Sequence, residues 1–179
     1  MPPGNRRIDK VLDPEFVAGL GQISLDDLRE RRKEAEQEET DLSYMRRLLQ
    51  GRLDILRAEL ARRGGEQTDL VQALPHILAD DGPNTGPRGL GRHVTSEPSR
   101  ADAHRRHVEQ LVADVDLSNP SAHDDASLRR ALETLQAEEQ KISESRRAVQ
   151  QVMDALSGEV TRRYREGDAD PSDLLPTEA

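Results

Sequence analysis

Five polar residues recur in this chain at one fixed spacing. Glu39, Ser43, Arg46, Gln50 and Asp54 are repeated 100 positions later as Glu139, Ser143, Arg146, Gln150 and Asp154. Both copies read E-x3-S-x2-R-x3-Q-x3-D. Each set places an arginine, a planar fork of donors, between two carboxylates that only accept. Serine and glutamine add short-range donors and acceptors. This is the chemistry of recognising a ligand with both hydrogen-bonding edges and negative charge. It is not the chemistry of breaking bonds, which needs a nucleophile or an acid–base pair shielded from water.

The spacing decides what kind of element must carry these residues. At about 100° per residue the five side chains fall within a stripe about 80° wide and roughly 22 Å long on one helix face. Beside that stripe runs an apolar seam, Leu42, Leu49, Leu53, Leu56 and Leu60. Ile142, Val149, Met153, Leu156 and Val160 take the same offsets in the second copy. Around the motif, Glu38, Arg47, Leu56, Glu59, Arg62 and Arg63 also recur, as Glu138, Arg147, Leu156, Glu159, Arg162 and Arg163. A charged coiled-coil flank often contains Glu, Arg and Gln. It would not, however, keep five residue types at one spacing while neighbours diverge from Tyr44-Met45 to Glu144-Ser145. Serine, a mediocre helix former, is an odd residue to repeat on a free helix surface.

The segments follow from the breakers. Residues 1–22 are rich in Pro and Gly and read as a flexible N-terminal segment, with Ile8, Val11, Leu12, Phe16, Val17 and Leu20 able to pack on something. Residues 24–63 read as long helix 1, opened by a Ser24/Asp27 cap and stopped by Gly64-Gly65. Residues 64–122 read as a linker with short helices near Asp69–Asp80 and Arg100–Val115 and a Gly/Pro-rich loop over 81–100. Residues 123–165 read as long helix 2, and residues 166–179 as a disordered acidic tail. The fold class is therefore all-α: an antiparallel two-helix coiled coil with a linker containing short helices. In that arrangement the two polar ledges form one composite, two-fold-symmetric site, suited to a two-fold-symmetric guanine dinucleotide. Arginine matches guanine O6 and N7, and carboxylates match N1–H and the 2-amino group.

Composition narrows the function further. Among 179 residues, apolar and charged residues each make up 34%, and Phe16, Tyr44 and Tyr164 are the only aromatics. Such a chain can fill a narrow seam between helices but not a thick core. A net charge of −9 argues against direct DNA binding. There is no cysteine, and no apolar run suits a membrane span or a signal peptide, so a cytoplasmic protein is expected. GPRGLGR lies in a strandless region and does not match a dinucleotide fingerprint. His104 and His107 share a helix, but a solvated face explains them better than a metal site. No enzyme is expected and no metal.

The motif copies, together with LSYMRRLLQGRLDILRAELARRGG and ALPHILAD, resemble the RsiG family of actinobacterial anti-sigma factors, which bind cyclic di-GMP. The resemblance covers residues 8 to 165, and all ten motif positions fit. It implies that Glu39, Ser43, Arg46, Gln50, Asp54, Glu139, Ser143, Arg146, Gln150 and Asp154 bind cyclic di-GMP, a regulatory ligand taken as a dimer of the dinucleotide. It implies that the liganded protein sequesters a WhiG/FliA-type sigma factor and represses sporulation genes; on its own the chain is expected to be a monomer. Leu70, Val71, Leu74, Ile77 and Leu78 then either dock on that partner or fold back on the hairpin. The competing reading is a ligand-free coiled-coil adaptor or chaperone, which explains the seam but not the repeated stripe.

Overall fold

The computed structural model describes residues 6–65, 97–113, 115 and 119–167. The described residues are all-α, with no strand among them. Helix α1 is Arg7–Val11, α2 is Pro14–Val17, α3 is Leu25–Arg63, α4 is Ala101–Leu111 and α5 is Asp125–Glu166. Short 3-10 turns, Leu20–Gln22 and Pro120–Ala122, precede the two long helices.

Local chemistry sets the ends of α3 and α5. The Ser24 hydroxyl oxygen accepts from the Asp27 N–H at 3.0 Å, and the hydroxyl donates to the Asp27 carboxylate at 2.6 Å. That satisfies one of the N–H groups a helix start leaves unpaired. The Asp124 carboxylate does the same for the Ser127 N–H at the start of α5. Gly65 and Gly167 follow the helix ends at φ +80°, a left-handed conformation that closes a helix cheaply only for glycine. The all-α class with two long helices, expected from the sequence, is what the structure shows.

The chain divides into two compact units, Met1–Leu42 with Glu144–Ala179, and Ser43–Ser143. In the first, the start of α3 lies by the end of α5, where the Arg29 guanidinium donates to the Tyr164 hydroxyl at 2.6 Å. The two helices thus run antiparallel there. Val11, Phe16, Leu28, Ala35, Leu42, Val149, Leu156 and Val160 form its buried apolar content. Residues 7–22, expected to be flexible, differ from that reading. Val11 and Phe16 are buried, Arg7 pairs with Glu38 and with Asp41, and Arg31 donates to the Phe16 carbonyl at 2.6 Å. These are tertiary contacts, which Pro and Gly content does not report.

In the second unit the end of α3 meets the start of α5, through Arg63 and Asp125 at 2.8 Å, again antiparallel. Its core joins Met45, Leu49, Leu53 and Leu56 of α3, Leu128, Ala131 and Leu135 of α5, and Val108, Val112 and Val115 from α4 and the residues after it. The short helix expected over 100–115 is α4, and it is a third member of this core. His107 Nε2 lies 3.2 Å from the Glu138 carboxylate and helps to seat it. The expected helix over 69–80, most of the 81–100 loop and the acidic tail beyond Gly167 lie outside the described residues.

The repeat extends into the caps. Glu59 accepts from Arg62 and Arg63, and Glu159 accepts from Arg162 and Arg163, all at 2.7–2.9 Å. Arg63 then donates to the carbonyls of Pro120 and Ser121, at the turn before α5. Arg163 donates to the carbonyls of Leu20 and Ile23, at the turn before α3. Each unit thus has one long helix whose terminal arginine fastens the entry of the other.

These arginines hold Glu59 and Glu159 down to about 2, mainly through side-chain hydrogen bonds. A carboxylate whose folded pKa lies below its unfolded value of about 4.3 adds stability above that value. The contribution disappears as pH falls toward 2. Thermal melts recorded from pH 6 to pH 2 should therefore show a falling Tm below about pH 4.5. Glu59→Gln/Glu159→Gln should melt lower than the native chain at pH 6 and show a shallower acid slope. Parallel slopes in the two proteins would remove these clusters from the acid response.

Candidate ligand-binding site

The stripe expected from the spacing sits on α3 and α5, beside the buried seam. Leu49, Leu53, Leu56, Val149 and Leu156 are buried, while nine of the ten motif residues are half-buried and Asp154 is exposed. Half-burial suits a ledge, where groups keep some access to solvent yet are held by neighbours.

The arginines are not held by their own copy of the motif. Arg146 Nε donates to Glu39 Oε1 at 2.9 Å, and Gln150 Nε2 donates to the same oxygen at 3.4 Å. All three belong to the first unit. In the second unit, Arg46 Nη1 lies 4.0 Å from Glu139 Oε1, which also accepts from the Ser143 hydroxyl at 2.9 Å. The two ion pairs exchange under the 100-residue shift, since the arginine of each copy faces the first glutamate of the other. They differ in tightness, because Arg146–Glu39 is a direct hydrogen bond and Arg46–Glu139 only a charge contact. Asp54 pairs with Arg57 at 3.2 Å on its own helix, and that arginine has no counterpart at Ser157.

The spacing found the stripe but missed these cross-helix pairs, because they depend on helix register. Glu38 and Glu138 were visible only as matching neighbours. The structure gives both the same job: Glu38 accepts from Arg7 of α1 and Glu138 is paired with His107 of α4. Both therefore anchor a short helix next to a motif glutamate.

A Glu–Arg pair held side by side offers one acceptor and one donor fork. That set complements the guanine base, whose Watson–Crick edge donates and whose O6 and N7 accept. An open cleft of about 590 Å³ lies elsewhere, at the start of α3 beside α1 and α2. Asp9, Asp13, Glu30 and Glu34 are among its walls, no motif residue lines it, and its mostly acidic lining suits no nucleotide.

The RsiG-like family model matches the chain twice, over residues 14–78 and 114–178. The two matches are offset by the same 100 residues as the motif, and together they span well over half the chain. The chain belongs to the RsiG-like family. That membership makes it a regulatory, non-enzymatic kind of protein and points to an anti-sigma role, with a sigma factor as partner. No curated protein matches it. Among the described residues no RsiG-like helix is long and apolar enough to cross a membrane. Nor does any group of three or more His, Asp or Glu residues stand ready to hold a metal ion there, His104 and His107 included.

Proposed function

We propose that this chain is a cytoplasmic anti-sigma factor that binds cyclic di-GMP through Glu39, Ser43, Arg46, Gln50, Asp54, Glu139, Ser143, Arg146, Gln150 and Asp154. Liganded, it sequesters a WhiG/FliA-type sigma factor and represses the developmental, sporulation-type genes which that factor transcribes. On its own the chain is a monomer.

The observation that carries the reading is the reciprocal pairing of the motif arginines with the motif glutamates. Each pair presents to a guanine the donors and acceptors that its two edges require. Because the arginines are already oriented, less side-chain freedom is lost when the ligand arrives. Each copy supplies the same set, as a two-fold-symmetric dinucleotide demands. A guanine ring stacked against an arginine plane would gain further attraction.

The reading is tested by calorimetric titration of cyclic di-GMP into the purified chain, alone and with a WhiG-type sigma factor. Coupling between two ligands is reciprocal, so sigma should tighten dinucleotide binding by the factor by which the dinucleotide tightens sigma binding. Heat of binding that appears or sharpens with sigma is the expected result. No binding in either titration would sink the nucleotide reading and restore the ligand-free adaptor.

A further inference from the structure

Between the two long helices, identical residues recur at 100-residue spacing in two classes. Some have work inside the fold. Leu28 and Leu128, and Leu56 and Leu156, are fully buried. Glu59, Arg62 and Arg63 and their counterparts build the end clasps. Glu38 and Glu138 hold α1 and α4. The motif residues form the ledge. Arg29 donates to Tyr164 and Arg129 pairs with Asp125, which leaves one identical pair, Arg47 and Arg147, in none of these roles. Among the described residues it is the identical pair of α3 and α5 that is exposed in both copies. Neither arginine makes a hydrogen bond or ion pair with another described residue.

Their position is specific. Arg47 follows Ser43 by four residues and precedes Gln50 by three, and Arg147 stands likewise to Ser143 and Gln150. Residues three and four apart are neighbours on a helix surface. Arg47 therefore borders two motif residues on the solvent side of the stripe, whereas Arg46 borders the seam. The exposed neighbours Gly51 and Gln151 have meanwhile diverged.

The charge balance of the ledge supplies the reason. Each motif copy includes two carboxylates and one arginine, a net charge of −1. A cyclic dinucleotide brings two phosphodiester charges of the same sign. Bases can be satisfied by the Glu–Arg pairs, but the phosphates need cations that the carboxylates have not already engaged. Resting on the cyclic di-GMP reading, we propose that Arg47 and Arg147 are ligand-binding residues that contact the phosphodiesters of the dinucleotide. The inner arginines read guanine and the outer ones neutralise phosphate.

The test compares labelled cyclic di-GMP binding to the full chain, to Arg47→Ala/Arg147→Ala and to Arg47→Lys/Arg147→Lys, each across a salt series. A phosphate contact made by a partly exposed cation is screened by salt. The alanine variant should bind about tenfold or more weakly at low salt and show a flatter salt dependence. The lysine variant should keep most of the affinity, because a phosphate accepts a point charge where a base edge requires the planar fork. The thermal midpoints of all three proteins should agree, since neither arginine holds the fold. Native affinity and native salt slope in the alanine variant would overturn the assignment and leave the motif reading standing. Native dinucleotide binding with weakened sigma binding would overturn it too, and would give these arginines to the protein partner. No binding by the native chain would overturn both.

Discussion

Arg46→Ala/Arg146→Ala should abolish measurable cyclic di-GMP binding while the chain remains folded. A bidentate arginine contact to guanine is worth about 1–3 kcal/mol, so losing two costs about 2–6 kcal/mol, a fall of at least thirtyfold or so. The fold should survive because both arginines sit on a half-buried ledge and not in the seam. Their side chains keep 20% and 29% of their exposure, so solvent can take over the carboxylates they leave. The single variants need not be equal. Arg146 is already hydrogen-bonded to Glu39, whereas Arg46 stands 4.0 Å from Glu139. Arg146→Ala therefore removes a more preorganised donor and should cost the larger share of affinity. Calorimetry on both singles and the double, with circular dichroism as the check on folding, measures this. A folded double variant that binds cyclic di-GMP like the native chain would take both arginines out of the site.

This expectation draws on residues that could be read from the sequence and on geometry that could not. The stripe was legible because a helix converts spacing directly into direction. Once Leu25–Arg63 lacked proline and ended at Gly64-Gly65, the placement of Glu39 through Asp54 on one face followed. The seam was legible for the same reason, and Leu49, Leu56, Val149 and Leu156 are buried as expected. Which residue faces which across the seam was not legible, because sliding one helix by a turn leaves both apolar patterns intact. Glu39–Arg146 and Arg46–Glu139 come from that register.

The N-terminal residues show the opposite limit. Helices of five and four residues are far too short to be stable alone. Order there comes from Arg7 reaching Glu38 and Asp41 and from Phe16 under Arg31, contacts that span up to 34 positions of sequence. No local pattern announces them. The clasps made by Arg63 and Arg163 are similar, since their acceptors are backbone carbonyls, which carry no sequence signature.

Leu56→Ala and Leu156→Ala remove the same residue of the repeat from different units, and both leucines are fully buried. Deleting a buried leucine side chain costs about 2–5 kcal/mol, depending on how far the surroundings collapse into the space. That is a large part of the roughly 5–15 kcal/mol that holds a typical domain together. The two changes should not be equal. Leu56 belongs to a cluster fed by three helices, with Val108 and Val112 joining from the α4 side. A site enclosed on several sides relaxes less, so Leu56→Ala should fall in the upper half of the range. Leu156 lies in the unit whose additional cover is the two short helices α1 and α2. Those are held by ion pairs and by the buried Val11 and Phe16, and being so short they can shift inward, so Leu156→Ala should fall in the lower half. Urea unfolding followed by circular dichroism gives both values, with the midpoint moving at a nearly constant slope if only stability changes. If Leu156→Ala proves the more damaging, the first unit holds the tighter core and α4 adds little to the second.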